Sequence, residues 1–183
     1  MERCAILLYE GVNAHEAMGA LAALRAASVP ATLVAAEALV LAREGARLVP
    51  HEMGYAALES AHAAILPGGD VAKALADPAL LRALRARRGR WVLGSGEATR
   101  VAAAAGLVEG RRVARLPGEA AIAGAEENAP SRLVADGRLL TSFPGDSLVD
   151  LVLHLVERED GHEVAQRAAQ QLGRELRTFA KGA

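Results

Sequence analysis

The stretch Arg90-Trp91-Val92-Leu93-Gly94-Ser95-Gly96-Glu97 predicts a strand, a tight turn and the start of a helix. Residues 90–93 are typical of a buried strand, and the alanine-rich residues 97–105 are typical of a helix. Such a strand-to-helix turn can hold a reactive side chain at a helix N-terminus. Here the residue expected at the tip, Gly94, has only a hydrogen for a side chain. The sequence therefore indicates a fold and a pocket more clearly than a reaction.

Short apolar runs alternate with alanine-rich segments of helical period along the chain. This alternation predicts an α/β fold in which a mostly parallel sheet is covered by helices on both faces. The predicted strands are residues 4–9, 31–35, 63–66, 90–93 and 139–142. The predicted helices are residues 14–27, 78–87, 97–105, 147–157 and 163–179.

Two further segments predict small antiparallel hairpins at the edges of the sheet. Residues 38–49 are expected to fold back around Glu44-Gly45, and residues 132–141 around Asp136-Gly137. An Asp-Gly pair between two strand-forming runs favours a tight hairpin turn. Residues 117–130 are instead expected to form a long irregular loop, and such a loop can shape a binding site.

The length and composition predict one soluble domain over residues 1–183. A content of 52% apolar residues and a formal charge of −1 favour neither disorder nor a surface for polyanions. The apolar runs are shorter than the roughly 20 residues that cross a bilayer, and the chain does not begin with a cleavable signal pattern. We therefore expect no membrane partner and a cytoplasmic location. Cys4 is the only cysteine, which excludes an internal disulfide.

Residues that follow the predicted strands indicate a ligand pocket. In an open parallel sheet, ligands bind at the carboxyl ends of the strands, near the point where the strand order reverses. Glycines after these strands allow sharp turns and let backbone amides point into one crevice. The predicted pocket consists of Glu16, Gly68, Gly69, Gly94, Ser95 and Gly96.

Several short motifs occur in the order in which one known family has them. They are residues 11–25, the signature Leu66-Pro67-Gly68-Gly69, the turn at 94–96, and residues 105–113, 136–142, 144–147, 155–157 and 160–165. With this ordered set the chain resembles the ThiJ/PfpI superfamily over nearly its whole length. That class I glutamine amidotransferase-like group includes the parkinsonism-associated protein deglycase and the intracellular protease-like proteins. The resemblance implies a flavodoxin-like three-layer α/β sandwich and a homodimer.

The resemblance also implies which residues form the site. The nucleophilic cysteine of the family lies in a Cys-x-Gly turn, which matches Gly94-Ser95-Gly96 with Gly94 at the cysteine position. A shift of one residue would place Ser95 there instead. The acidic residue that hydrogen-bonds the cysteine matches Glu16, and the histidine present in many members falls close to Leu116. Of these three groups, only the carboxylate is present.

Glu16 and Ser95 are the candidate catalytic residues. A serine needs a general base beside it, and no histidine has an obvious partner position, so the favoured role of Ser95 is a small turn residue that donates its amide. Glu16 would act as a general acid or base, or would anchor the turn by hydrogen bonds, and anchoring is favoured because the thiol is missing. The face of the same helix that carries Ala20, Ala23 and Ala27 is flat, and we expect it to form the dimer interface.

Other residue clusters argue against metal and nucleic-acid binding. Neither His-x-His nor His-Glu-x-x-His occurs, so we expect no metal and no other cofactor, although His15 and His51 lie near strand ends and could reach the pocket. The basic residues 82–90 lack interleaved aromatic residues and surround the leucines of an amphipathic helix. We therefore expect a solvated helix face there and no nucleic-acid partner.

Three functions remain open at this stage. The first is a catalytically reduced ThiJ/PfpI-type protein, with a stress-related role, that retains a pocket for a small metabolite or a protein partner. The second is an enzyme of glyoxalase, deglycase or amidase type that uses Ser95 or a water assisted by Glu16. The third is a purely structural or regulatory dimer.

Overall fold

The structure is a computed structural model that describes residues 1–177, and its centre is a seven-stranded sheet. The strands are β1 Cys4–Leu7, β2 Ala31–Ala35, β3 Val40–Leu41, β4 Arg47–Leu48, β5 Glu52–Met53, β6 Ala63–Leu66, β7 Trp91–Ser95, β8 Arg112–Ala114, β9 Glu127–Ala129, β10 Leu133–Asp136 and β11 Leu139–Ser142. The helices are α1 Ala14–Ala26, α2 Ala56–Ser60, α3 Ala72–Leu75, α4 Pro78–Arg85, α5 Ala98–Ala104, α6 Ser147–Asp160 and α7 His162–Gln171.

The strand order of the sheet is β10-β11-β7-β6-β1-β2-β5. All neighbouring pairs are parallel except β10 and β11, which are antiparallel. Helices α1, α6 and α7 pack together on one face, and α2 to α5 pack together on the other. The predicted α/β fold, flavodoxin-like and mostly parallel with helices on both faces, is confirmed. Because the chain runs from β1 to β2 and then crosses to β6 on the other side of β1, the strand order reverses between β1 and β6.

The central strands are apolar along their whole length. Every residue of β1 and β6 is buried, which is the pattern expected for parallel strands with helices on both faces. On the face covered by α1, Gly19 lets that helix approach α6 closely, since a Cβ at this position would lie 3.0 Å from Cγ2 of Val149.

Both predicted hairpins are present, but only one lies at the edge of the main sheet. The β10–β11 hairpin turns at Asp136-Gly137, where Gly137 has φ +59°, and β10 forms the edge. The β3–β4 hairpin turns at Glu44-Gly45 but forms a separate two-stranded sheet. The predicted irregular loop 117–130 ends in β9, which pairs with β8 in parallel, and the sequence pattern did not indicate this pair.

The last helix is shorter than predicted. The sequence predicts a helix over residues 163–179, whereas α7 ends at Gln171 and its final carbonyls are capped around Gly173, which has φ +65°. The backbone amide of Arg174 donates to the carbonyl of Ala169 at 2.9 Å, which closes the helix end in the way that glycine commonly allows. Residues 178 and 179 of the predicted helix lie outside the described residues.

The alanine face of α1 is inside the chain. Ala20 and Ala23 are fully buried and Ala27 is 8% exposed, because this face packs within the chain's own core. The prediction that this face forms a dimer interface is therefore wrong. A pattern of small residues favours close packing, but the sequence does not say whether the partner is in the same chain.

Arg87 also departs from the prediction, which placed it on a solvated helix face. Its side chain is fully buried at the connection between α4 and β7. Burial lowers the pKa of its guanidinium to about 10, so the group stays charged at neutral pH. Its two terminal nitrogens donate to the backbone carbonyls of Glu59, Ala61, His62 and Trp91. By contrast, Arg82 and Arg85 of α4 are exposed, as predicted.

Candidate functional site

The loops that follow β1 and β6 are joined by backbone hydrogen bonds. The amide of Asn13 donates to the carbonyl of Gly68 at 2.7 Å, and the amide of Asp70 donates to the carbonyl of Gly11 at 2.9 Å. Gly69 has φ +141°, and a Cβ at this position would lie only 2.3 Å from the carbonyl oxygen of Gly11. Because the two loops meet with no space between their backbones, only glycine fits at this position.

Glu16 is the polar centre of the site. It lies in the first turn of α1, which Asn13 caps by accepting the Glu16 amide at 3.1 Å, and the Glu16 side chain is buried. One carboxylate oxygen accepts the amide of Gly68 at 2.7 Å, and the other accepts the amide of Gly145 at 2.6 Å. The carboxylate thus connects the loop after β6 with the loop that precedes α6.

The turn between β7 and α5 is at Gly96. Strand β7 continues through Ser95, and Gly96 follows in the left-handed region at φ +50°. Gly94 lies inside the strand, buried, in register with Leu66 of β6 and Thr141 of β11. The observed turn thus lies at the end of the predicted turn 94–96, and Gly94, the residue expected at its tip, belongs to the strand.

The Ser95 hydroxyl is hydrogen-bonded to the backbone. The residue is fully buried, and its hydroxyl donates to the carbonyl of Phe143 at 3.1 Å. His15, which the sequence placed near the pocket, is exposed and pairs with Asp146 at 2.7 Å through Nε2, and this hydrogen bond lowers the pKa of the Asp146 carboxyl. The other histidine placed there, His51, accepts the backbone amide of Leu33 through Nδ1.

Two polar residues near the turn were not among the predicted site residues. The phenol of Tyr9 donates to the carbonyl of Pro67 at 2.7 Å, and its pKa is raised by burial first and then by the carboxylates of Glu16 and Glu97. Oε2 of Glu97 is buried and makes no hydrogen bond within the described residues. Glu97 directly follows Gly96 in sequence, so a prediction that placed the tip of the turn at Gly96 would have included Glu97 among the site residues.

Of the predicted pocket residues, the structure brings four together. Gly68 lies against Glu16 and Ser95: a Cβ at Gly68 would lie 3.2 Å from Oε2 of Glu16 and 3.2 Å from the carbonyl oxygen of Ser95. Gly96 follows Ser95 and faces Pro144, the neighbour of Gly145. Gly69 faces the loop after β1 instead, and Gly94 belongs to the strand.

Two depressions open at the carboxyl ends of the strands, and neither is lined by any of the six predicted pocket residues. A cleft of about 440 Å³ lies where the strand order reverses, and it is lined by Glu10, Gly11, Leu41, Ala42, Arg43, Asp70 and Lys73. A smaller cavity of about 160 Å³ lies beyond β1 and β2, and its polar lining includes Tyr9, Tyr55 and Asp77. A cleft with charged side chains therefore lies where an open parallel sheet is expected to bind its ligand.

Neither a membrane-crossing helix nor a metal-binding group of side chains occurs in residues 1–177. No helix there combines the length and the apolar character that a bilayer requires. Likewise, no three or more His, Cys, Asp or Glu side chains of this part of the chain are grouped so that they could hold a metal ion.

Comparisons with known proteins identify the family. The family model for the DJ-1/PfpI family matches residues 2–158. Oxidized DJ-1 of Toxoplasma gondii superposes with a TM-score of 0.86 at 19% identity, covering 95% of this chain and 99% of the other. DJ-1beta of Drosophila melanogaster gives 0.80 at 21% identity, with coverages of 94% and 98%. A DJ-1 superfamily protein from Salmonella typhimurium gives 0.82 at 24%, with coverages of 95% and 99%.

At these identities the superpositions show a shared fold, and the family model adds a match over most of the sequence. No curated protein matches the sequence. The resemblance predicted from the sequence motifs is confirmed: the chain belongs to the DJ-1/PfpI family.

Proposed function

We propose that this chain is a catalytically reduced DJ-1/PfpI protein that retains a binding pocket for a small molecule or a partner at the carboxyl ends of its strands. The observation that carries the proposal is the turn after β7, where Gly96 lies at φ +50° and offers no nucleophile. We further propose two candidates for the position of the family's cysteine: Gly94, which fits the Cys-x-Gly pattern with Gly96 as its glycine, and Gly96, which lies at the sharp turn itself. The sharp turn between strand and helix is where such a side chain would be presented.

The hydrogen bonds of the neighbouring residues support this proposal over an enzyme that uses Ser95 or a water activated by Glu16. The Ser95 hydroxyl already donates to a backbone carbonyl, and a serine without a general base is a poor nucleophile. Both oxygens of Glu16 already accept backbone amides. Glu16 in this arrangement anchors the loops after β6 and before α6, whereas the role favoured from the sequence is to anchor the turn after β7.

Assays of turnover test the proposal directly. We expect no consumption of methylglyoxal and no hydrolysis of a chromogenic amide above the buffer rate, even at high protein concentration, because no activated nucleophile lies at the turn. Turnover that is lost in Ser95→Ala or Glu16→Gln would establish the enzyme instead. Ser142→Ala is the matched control, since Ser142 is a buried serine paired in register with Ser95 on β11.

The cleft at the reversal of strand order supports binding of a small polar molecule. Its lining combines the carboxylates of Glu10 and Asp70 with the cations of Arg43 and Lys73. A molecule with both donors and acceptors would find partners there, since pockets fix their ligands with a few well-placed polar groups. We propose that the stress-related role expected from the sequence depends on binding in this cleft and not on catalysis.

We also propose that the chain forms a homodimer, and that it does so through the apolar segment between β3 and β5. Leu41, Val49 and Met53 are 45%, 66% and 69% exposed, and β5 is an edge strand of the sheet. Exposed apolar surface beside an unpaired strand edge favours association. We also propose the cytoplasmic location expected from the sequence, with which the free, buried thiol of Cys4 is compatible.

Sedimentation velocity tests the dimer. The wild-type chain of 19.0 kDa is expected to give the sedimentation coefficient of a dimer. The double variant Val49→Glu/Met53→Glu is expected to sediment as a monomer, because each chain would bring two charges into the interface. Leu75→Glu is the control, since Leu75 is 36% exposed but lies on α3. A dimer unaffected by the double variant would move the interface elsewhere, and a monomeric wild type would exclude the proposal.

A further inference from the structure

A third cavity lies at the amino ends of β7 and β11, at the end of the sheet opposite to Gly96. It has a volume of about 280 Å³ and contains Arg90, which precedes β7, and Arg138, which precedes β11. Because these two strands are parallel, their amino ends lie together, far from the turn that follows β7. The cavity is therefore separate from the site described above.

Arginines dominate the lining of this cavity. Arg88, Arg90, Arg111 and Arg138 are exposed, and Arg87 is buried in the wall. Within residues 1–177, the carboxylates that form ion pairs with these arginines are Glu109, with Arg88, and Asp136, with Arg111. Five guanidinium groups against two carboxylates leave an excess of three positive charges, although the whole chain has a net charge of −1.

The exposed arginines keep hydrogen-bond donors available. Each guanidinium carries five N–H groups in a planar fork that suits phosphate oxygens. Arg90 uses Nη1 for the carbonyl of Glu59 at 3.1 Å, and Arg138 uses Nη1 for the carbonyl of Gly89 at 3.0 Å. These single bonds fix the two side chains to the backbone and leave the other N–H groups of both for a ligand.

The backbone around the cavity is held in place by the sheet. The amide of Val92 donates to the carbonyl of Arg138 at 3.0 Å, so β7 and β11 position the two arginines relative to each other. The apolar part of the lining consists of Val92, Leu107 and Leu139. The cavity thus combines a rim of cations with a small apolar wall.

We propose that this cavity binds a small metabolite that carries two phosphate groups. One phosphate monoester carries about −1.5 to −2 charges at neutral pH, so two phosphates carry about −3 to −4 and neutralise the excess of three, whereas one phosphate leaves about one positive charge or more. A nucleic acid is disfavoured because the lining contains no aromatic side chain on which bases could stack. The exposed arginines are the groups that recognise the ligand, through charge-assisted hydrogen bonds to phosphate oxygens.

Isothermal titration with inorganic pyrophosphate tests the proposal. We expect saturable binding at one site per chain, with affinity at least about 10-fold higher than for inorganic phosphate, because a second phosphate adds further charge-assisted bonds. Arg90→Gln/Arg138→Gln is expected to weaken pyrophosphate binding by at least about 10-fold for the same reason. The matched control is Arg82→Gln/Arg85→Gln, which removes the same charge from exposed positions of α4 outside the cavity.

Three results would overturn the proposal. They are the absence of saturable pyrophosphate binding, an equal loss of affinity in both double variants, and tighter binding of a single-stranded RNA than of pyrophosphate. Should Arg90→Gln/Arg138→Gln fail to fold, Glu109→Gln provides an independent measurement. Glu109 is exposed, and removing its charge is expected to tighten pyrophosphate binding by about threefold, whereas unchanged or weaker binding would contradict the proposal.

Discussion

Gly69→Ala is expected to lower the free energy of unfolding by about 4–8 kcal/mol, if both backbone hydrogen bonds between the loops are lost. The conformation at φ +141° is strained for any side chain, at a cost of order 1–3 kcal/mol. The new Cβ would also lie 2.3 Å from the carbonyl oxygen of Gly11 and 2.8 Å from the amide nitrogen of Asn13, and neither backbone atom can move without separating the two loops. Overpacking of this kind adds about 1–3 kcal/mol, and each backbone hydrogen bond lost adds about 1 kcal/mol.

Urea unfolding followed by circular dichroism measures this loss. Gly45→Ala is the matched control, because Gly45 also has a positive φ, +85°, but has no atom within 4 Å of the new Cβ. Its cost should be about 1–2 kcal/mol, the strain of the backbone conformation alone. Equal losses in the two variants would mean that the close contact between the loops after β1 and β6 does not contribute to stability.

A cysteine introduced at Gly96 is expected to react with iodoacetamide at least about 20-fold faster than Cys4 at pH 7. Burial raises the pKa of the Cys4 thiol to about 11, whereas an accessible thiol has a pKa of about 8.5. This difference gives an accessible thiol about 300 times more thiolate, and the lower nucleophilicity of that thiolate reduces the advantage to about 20-fold. Access to the reagent adds to this difference, because Cys4 is fully buried whereas Gly96 is half-buried. The new Cβ would lie 3.0 Å from Cβ of Pro144, so Pro144 has to shift by a few tenths of an ångström to admit it.

Gly94→Cys separates the two assignments of the turn. At that position the Cβ would make only ordinary contacts, with Oγ1 of Thr99 at 3.5 Å and its backbone nitrogen at 3.6 Å, and the thiol would be buried between β7 and α5. We therefore expect it to react as slowly as Cys4. Fast labelling of Gly94→Cys combined with slow labelling of Gly96→Cys would restore the assignment made from sequence. Both variants should be prepared with Cys4→Ala, so that each reports one thiol.

The position of the turn illustrates what the sequence can and cannot predict. The strand and the helix on either side of it follow from apolar and alanine-rich runs, and both are present. The turn itself contains Gly94, Ser95 and Gly96, each of which is small enough to occupy it. The pairing of Gly94 with Leu66 and of Ser95 with Ser142 extends the strand to Ser95, and this pairing is a long-range property.

Glu16 and Arg87 also separate what local sequence patterns predict from what depends on long-range contacts. The alignment of motifs matched Glu16 to the family's acidic residue, and the structure shows its carboxylate buried and bonded to Gly68. Its second partner, Gly145, lies 129 positions away in sequence. Arg87 could not be distinguished by spacing from the solvated arginines beside it. Its burial depends on where the chain enters β7, so only the tertiary structure reveals it.

The hydrogen bonds of the buried Arg87 guanidinium decide whether lysine could replace arginine at this position. Its terminal nitrogens supply four N–H donors to four backbone carbonyls, whereas a lysine ammonium has three donors. With lysine, at least one of the four carbonyl oxygens would be buried without a hydrogen-bond donor. Lysine therefore cannot replace arginine at this position without leaving a buried carbonyl unbonded, although both side chains carry the same charge.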